Sequence, residues 1–213
     1  MMKKNQKQYW DKVAKNKKFT TYLDISLLSK YLDKESLIVD YGCGYGRTLN
    51  ELFLNDYKNT IGFDFSPKMI EKGKKKFPFL NLKVSVDNHI NCESNSVDVI
   101  ILFAVLTCII DDVSQISLME EIQRVLKPGG LIYINDFLIN EDDRNKNRYN
   151  KYLNEYNTYG VFELEEGAVL RHHNENWIKQ LTSEFKSKEF NHTAFRTMNG
   201  HISNGFVFIG AKK

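Results

Sequence analysis

The sequence is poor in the residues that staple a chain or coordinate a metal. Its three cysteines, Cys43, Cys92 and Cys108, are odd in number, far apart and form no C-x-x-C pair. That excludes a disulfide framework and a zinc site and points to a reducing cytoplasm; no metal centre is expected. No apolar run is long enough to cross a bilayer, and the lysine-rich opening MMKKNQKQYWDKVAKNKK runs into no apolar core, so neither a membrane span nor a secretory leader is expected. A strong charge is also missing: 30 Lys and Arg against 27 Asp and Glu leave +3. Much of that excess sits in the N-terminal segment with no RNA-binding motif beside it, so a solvated helix face is expected there and a nucleic-acid partner is not. The scarcity of proline, beside many Asn and Lys, reflects nucleotide-composition bias. Internal repeats and flexible linkers are absent too.

What is present is a globular composition, 213 residues with 42% hydrophobic and 27% charged, the length of one large domain. Short β-branched or aromatic runs bounded by turn residues predict strands at 36–41 (SLIVDY), 60–64 (TIGFD), 82–86 (LKVSV), 97–103 (VDVIILF) and 131–135 (LIYIN). Helical spacing lies between them. Leu49, Leu52 and Phe53 follow a glycine cluster; Ser66-Pro67 supplies a cap and first helical position before Met69 and Ile70; Leu118, Ile122 and Val125 or Leu126 precede KPGG at 127–130. Strand and helix in alternation make βαβ units, hence an α/β, doubly wound, mostly parallel sheet with helices on both faces. After the fifth strand a charged, tyrosine-rich segment, 136–176, leads to a last helix near 177–185. Two strands near 190–196 and 205–211, separated by MNGHISNG, should form an antiparallel hairpin.

VDYGCGYGRT, at 39–48, carries three glycines at the end of the first strand, where a parallel sheet opens its ligand crevice. Glycine permits close backbone approach and positive φ, and the next helix aims free amides at an anion. The dinucleotide fingerprint G-x-G-x-x-G fails because Arg47 stands where its third glycine belongs, and the phosphate loop lacks its Lys-Ser/Thr pair. G-x-G-x-G behind Asp40 suits a smaller anion such as a carboxylate. Asp64, ending the second strand, is placed for two ribose hydroxyls; Asp87 and Asn88 follow the third, where they could read an adenine edge; the loop after Phe103 closes the far side.

Taken in order, VDYGCGYGRT, GFDFSPKMI, VDN, SVDVIILFAVL and LMEEIQRVLKPGGLIYI resemble the class I, Rossmann-like S-adenosylmethionine-dependent methyltransferases of small-molecule type, over roughly 36–136. QYWDKVAK, at 8–15, is similar to the aromatic-Trp-Asp opening of many small-molecule members. The resemblance implies a seven-stranded sheet of order 3-2-1-4-5-7-6 with its last strand antiparallel. It implies S-adenosyl-L-methionine as cofactor, with Gly42 and Gly44 against its methionine part, Asp64 on the ribose, Asp87 and Asn88 flanking the adenine and the Phe103 carbonyl facing the amino group. Tyr9 would reach the carboxylate, and Asp40, Cys43 and Phe65 join the same cofactor-binding set. It further implies one methyltransferase domain over 1–213, with a helical segment 1–33 over the cofactor site and 136–176 as a substrate lid.

Departures prune the substrate list. Thr107-Cys108 stands where many relatives carry a His pair; no D/N-P-P-Y/F, Pro-Cys pair or strand-end acid for a catechol-type metal site is present. Transfer from a sulfonium rests mainly on positioning, and a base is needed only for a protonated acceptor. The candidate acceptor wall is VFELEEGAVLRHHNENW, with His172 and His173 as candidate catalytic bases. Tyr149, Tyr152, Tyr156 and Tyr159 form a stripe at helical spacing, read as core packing; Cys108 is read as an inert thiol, Glu165 and Glu166 as a solvated turn. The expectation is a cytoplasmic enzyme, monomer or homodimer, that methylates O or N of a small molecule. An RNA or protein methyltransferase recruited by the lysines of 3–18, and a non-catalytic S-adenosylmethionine-binding module, stay open as alternatives. A nicotinamide oxidoreductase is weakened by Arg47.

Overall fold

The computed structural model describes residues 6–16, 21–86, 89–197 and 200–213. Nine strands occur among them: β1 (Ile38–Tyr41), β2 (Thr60–Asp64), β3 (Asn81–Val84), β4 (Val97–Phe103), β5 (Leu126–Phe137), β6 (Val161–Glu163), β7 (Val169–Arg171), β8 (Phe185–Arg196) and β9 (Ile202–Lys212). The helices are α1 (Gln6–Val13), α2 (Ile25–Leu28), α3 (Arg47–Leu54), α4 (Pro67–Lys76), α5 (Asp112–Val125), α6 (Asp143–Tyr156) and α7 (Glu175–Leu181), with a 3-10 turn at Leu106–Cys108.

Seven strands form one sheet in the order β3-β2-β1-β4-β5-β9-β8, and β6 pairs with β7 in a separate hairpin. With that hairpin set aside, this is the expected 3-2-1-4-5-7-6 order. β1 to β5 pair in parallel, and β9 runs antiparallel to both β5 and β8.

Side-chain alternation explains why both faces need helices. Val39, Ile100, Leu102, Ile132 and Ile134 point into one core, closed by Leu118, Ile122 and Val125 of α5 and Ile178 of α7. Their neighbours Ile38, Val99, Ile101 and Tyr133 point into the other, closed by Leu28 of α2, Leu49 and Leu52 of α3 and Ile70 of α4. Ser66 caps α4 by accepting from the Met69 N–H at 3.1 Å, and Pro67 is its first residue.

Several boundaries differ from the sequence expectation. The third strand ends at Val84, and Val86 makes only an isolated bridge to His89. KPGG lies within β5: Val97 pairs with Leu126 and Val99 with Leu131, so the four residues bulge out of the ladder. The last helix sits earlier, with Asn174 accepting from the Asn176 N–H as its cap, and β8 begins at Phe185. The tyrosine stripe is broken because Asn157, at φ 50°, ends α6 before Tyr159. Tyr149 is fully buried while Tyr159 is exposed. Among the described residues no helix is long and apolar enough to cross a membrane.

Candidate active site

Strand order reverses between β1 and β4, and the carboxyl ends of those strands open the crevice. One cavity of about 870 Å³ starts there and extends under the 136–176 segment. Gly42 turns the chain out of β1 at φ +78°, and a Cβ at this position would lie 2.5 Å from Val105 Cγ2, so no side chain fits. Gly44 follows at φ +56°, and Gly46, at φ +83°, opens α3 with no side-chain cap. The amides of that first turn are therefore left for a ligand or water.

Asp40 is 1% exposed, lines the cavity, and neither carboxylate oxygen has a partner. Burial pushes its pKa up to about 7, against the pull of the Arg47 cation and with the push of Asp64 and Glu51. Arg47 pairs with Glu51 at 2.5 Å, lies 5.4 Å from the Phe103 and Tyr22 ring centroids, and keeps a buried Nε without a partner. Asp64 accepts from the Gly44 N–H and the Ser66 N–H, both at 2.8 Å, which fixes the glycine turn and the start of α4. Burial raises this carboxyl to about 6. Each of its oxygens keeps accepting capacity toward the cavity. Cys43, Phe65 and Phe103 line the same space, and burial lifts the Cys43 thiol well above its ordinary range. Tyr9 is not among the lining residues. α1 presents Gln6, Lys7 and Trp10 instead, with the Tyr9 ring edge-on to Trp10 at 5.2 Å. Asp87 and Asn88 lie outside the described residues.

The far wall comes from α6 and the β6–β7 hairpin: Arg144, Arg148, Phe162, Leu170 and His172, with Glu163, Glu165 and Glu166 at the hairpin's turn end. The two histidines part company. His173 is fully buried and lies outside the lining; its Nε2 meets the Gln115 amide at 2.9 Å and its Nδ1 the Phe137 carbonyl at 3.2 Å. Burial and the Arg171 cation hold its pKa down to about 3, so it is a neutral structural link. His172 faces the cavity, stacked on Phe137 at 5.4 Å and edge-on to Phe162 at 4.9 Å. Its Nδ1 is 2.6 Å from the Tyr149 hydroxyl and 3.1 Å from Asn140 Nδ2. The Asn140 amide is oriented by the Asn204 N–H on its Oδ1, so Nδ2 donates and His172 Nδ1 accepts. The neutral ring then carries its proton on Nε2. Burial, then the Arg148 cation, holds this histidine well below its ordinary range. It is a donor at neutral pH, which turns the sequence expectation of a proton acceptor around.

Residues 39–134 match the family described as methyltransferase domain. The chain is 29% identical over 99 residues to an uncharacterized methyltransferase-like protein of Schizosaccharomyces pombe, covering 46% of this chain and 37% of that protein. It is 29% identical over 111 residues to the tRNA N(3)-cytidine methyltransferase METTL2 of Bos taurus, covering 47% and 29%. The chain thus spans about a third of the length of these curated relatives. A crystal structure of an S-adenosylmethionine-dependent methyltransferase from Methanosarcina mazei superposes with a TM-score of 0.81 at 24% identity, over 90% of this chain and 99% of that one.

S-adenosylmethionine is the cofactor named for that Methanosarcina mazei protein, and the cavity here suits it. Its amino-acid end carries an ammonium and a carboxylate; Asp40 offers two unmatched acceptors, Arg47 Nε and the first turn of α3 offer unmatched donors. Arg47 was missing from the sequence-derived set. Its signal was a lone cation replacing the glycine of a phosphate-binding turn. Arg148 was missed as well, because on a polar helix such as α6 nothing in the spacing marks which arginine turns inward.

Proposed function

We propose that the chain is an S-adenosylmethionine-dependent methyltransferase that transfers a methyl group to oxygen or nitrogen of a small molecule. The observation that carries this reading is the continuity of one cavity from the Asp40 and Asp64 end to the wall built by Phe162 and His172. Its size lies in the range of small-molecule sites, roughly 300–1,000 Å³. The 136–176 segment acts as the acceptor lid, and α1 covers the cofactor side.

In this reading Asp40 holds the ammonium, Arg47 and the α3 amides the carboxylate, and Asp64 the ribose hydroxyls, while Gly42 and Gly44 let the backbone approach. The bound cofactor supplies an electrophilic methyl on sulfur with a good leaving group. Phe137, Phe162 and Phe103 keep the reacting region apolar and exclude water. Neutral His172 orients the acceptor through its Nε2–H. The acceptor atom therefore arrives with its own lone pair, and the protein's share of catalysis is alignment and desolvation.

Incubating the protein with S-adenosylmethionine and fractionated metabolite extracts tests this. A product heavier by one methylene, formed together with S-adenosylhomocysteine, is the expected result. Binding of the cofactor with no methylated product in any fraction would leave the non-catalytic binding module standing in its place. The tRNA-modifying relative favours one second reading, an RNA acceptor. It requires tRNA binding that weakens steeply with salt, and a flat salt response removes it.

A further inference from the structure

The acceptor end of the cavity holds a guanidinium, that of Arg148, whose hydrogen-bonded neighbour is the Tyr149 hydroxyl and not a carboxylate. Arg148 lies on its wall with the guanidinium carbon 3.4 Å from the Phe162 ring centroid, and its Nε is buried without a partner. Three other arginines each meet a carboxylate, although Arg47 and Arg171 also keep a buried Nε without a partner. Arg47 meets Glu51 at 2.5 Å, Arg124 meets Glu121 at 2.7 Å and Arg171 meets Asp112 at 2.6 Å. Among the described residues no carboxylate forms an ion pair with Arg148. Arg144, on the same wall and 3.9 Å from Asp142, pushes against the Arg148 cation, while Asp142 pulls the other way from beyond ion-pair contact with Arg148. An arginine partly removed from water with no carboxylate in ion-pair contact is costly, so a site that keeps one suits an anion.

His172 supplies the second donor. Its ring shares Phe162 with Arg148, edge-on at 4.9 Å, and the Tyr149 and Asn140 contacts at Nδ1 leave the proton on Nε2. The acids nearby do not satisfy this corner: Glu163 accepts from the Tyr156 hydroxyl at 2.6 Å, and Glu165 and Glu166 stand exposed at the tip of the hairpin. Ile109, Phe137 and Leu170 line the space around the donors with apolar surface.

We propose that the methyl acceptor is a small, flat molecule bearing a carboxylate, gripped by the Arg148 guanidinium with the His172 Nε2–H as second donor. Arg148 sets specificity in this arrangement and takes no part in the chemistry. The inference rests on the methyltransferase reading of the same cavity, so its test has to separate the two.

Calorimetry with S-adenosylhomocysteine comes first: if the intact folded protein does not bind it, the methyltransferase reading itself fails. With S-adenosylhomocysteine saturating, 4-hydroxybenzoate and 4-aminobenzoate are then each compared with the corresponding amide. Every acid is expected to bind about tenfold tighter than its amide, the worth of a charged hydrogen bond over a neutral one. Arg148→Met should shrink that ratio to less than about twofold while S-adenosylhomocysteine binds within about threefold of the parent, and Arg148→Lys should fall between, keeping charge without the fork. Acids and amides that bind alike, or that both fail to bind while S-adenosylhomocysteine binds, overturn the proposal, as does an acid preference that survives Arg148→Met. The comparison on the unmodified protein stands even if a variant does not fold.

Discussion

The hydroxyl of Tyr149 stands 2.6 Å from His172 Nδ1 and donates to it. With Asn140 on the same nitrogen, this contact decides what the histidine can do in the cavity: it gives a hydrogen bond and does not take a proton.

A donor can be imitated by an amide, and a base cannot. His172→Gln should therefore keep kcat/KM within about tenfold, while His172→Ala should lose about 10- to 100-fold, the worth of one buried hydrogen bond. The pH profile of the parent enzyme should show no inflection from this residue between pH 6 and 8. A glutamine variant as impaired as the alanine one would restore the general-base role.

Asp64 holds the glycine turn and keeps capacity for two hydroxyls. Asp64→Ala should weaken S-adenosylhomocysteine binding by about 10- to 100-fold, with the fold retained by circular dichroism. Binding unchanged by this substitution would place the ribose elsewhere.

Asp40 predicts opposite pH trends for ligand affinity and ligand-free stability. Burial raises its pKa from 3.8 to about 7, so its contribution to stability is complete below pH 3.8 and is lost as pH rises through 7. Chemical denaturation of the ligand-free protein between pH 4 and 7 should show a downward slope that is shallower in Asp40→Asn. S-adenosylhomocysteine, by contrast, should bind more tightly as pH rises from 6 to 8, by roughly tenfold, because the carboxylate facing its ammonium becomes ionised. Calorimetry at pH 6, 7 and 8 measures this, and Asp40→Asn should flatten it.

Gly42→Ala should cost about 1–3 kcal/mol in unfolding free energy, from backbone strain at positive φ and from overlap with Val105. Val105→Ala in the same chain should recover the overlap share and leave the strain. Full recovery in the double variant would mean that φ at this position costs nothing.

The sheet was legible because its inner strands advertise themselves. VDVIILF is apolar on both faces, a pattern that only a covered parallel strand produces, and Ser66-Pro67 states where a helix begins. The glycine turn was legible for the same local reason. What escaped notice depends on partners far away in sequence. β6 and β7 have three residues each, too few for a period to show, yet they decide that His172 faces the cavity and His173 does not. Arg148 is one of many charges on α6, and its burial is imposed by Phe162 from that hairpin. On α1 the helical repeat turned Gln6 and Trp10 inward together, leaving Tyr9 about 60° from Gln6 and about 100° from Trp10 on the cylinder.

β8 forms one edge of the sheet with twelve residues of backbone, long enough to template pairing with a foreign strand. Lys186, Lys188 and Arg196 lie exposed along it, and the register shift between Ser187 and Glu189 kinks its ladder with β9. Charge and kink together make the edge a poor template for aggregation. Neutralising Lys186 and Lys188 would remove one of those two guards, so these lysines belong in any preparation that has to survive high concentration.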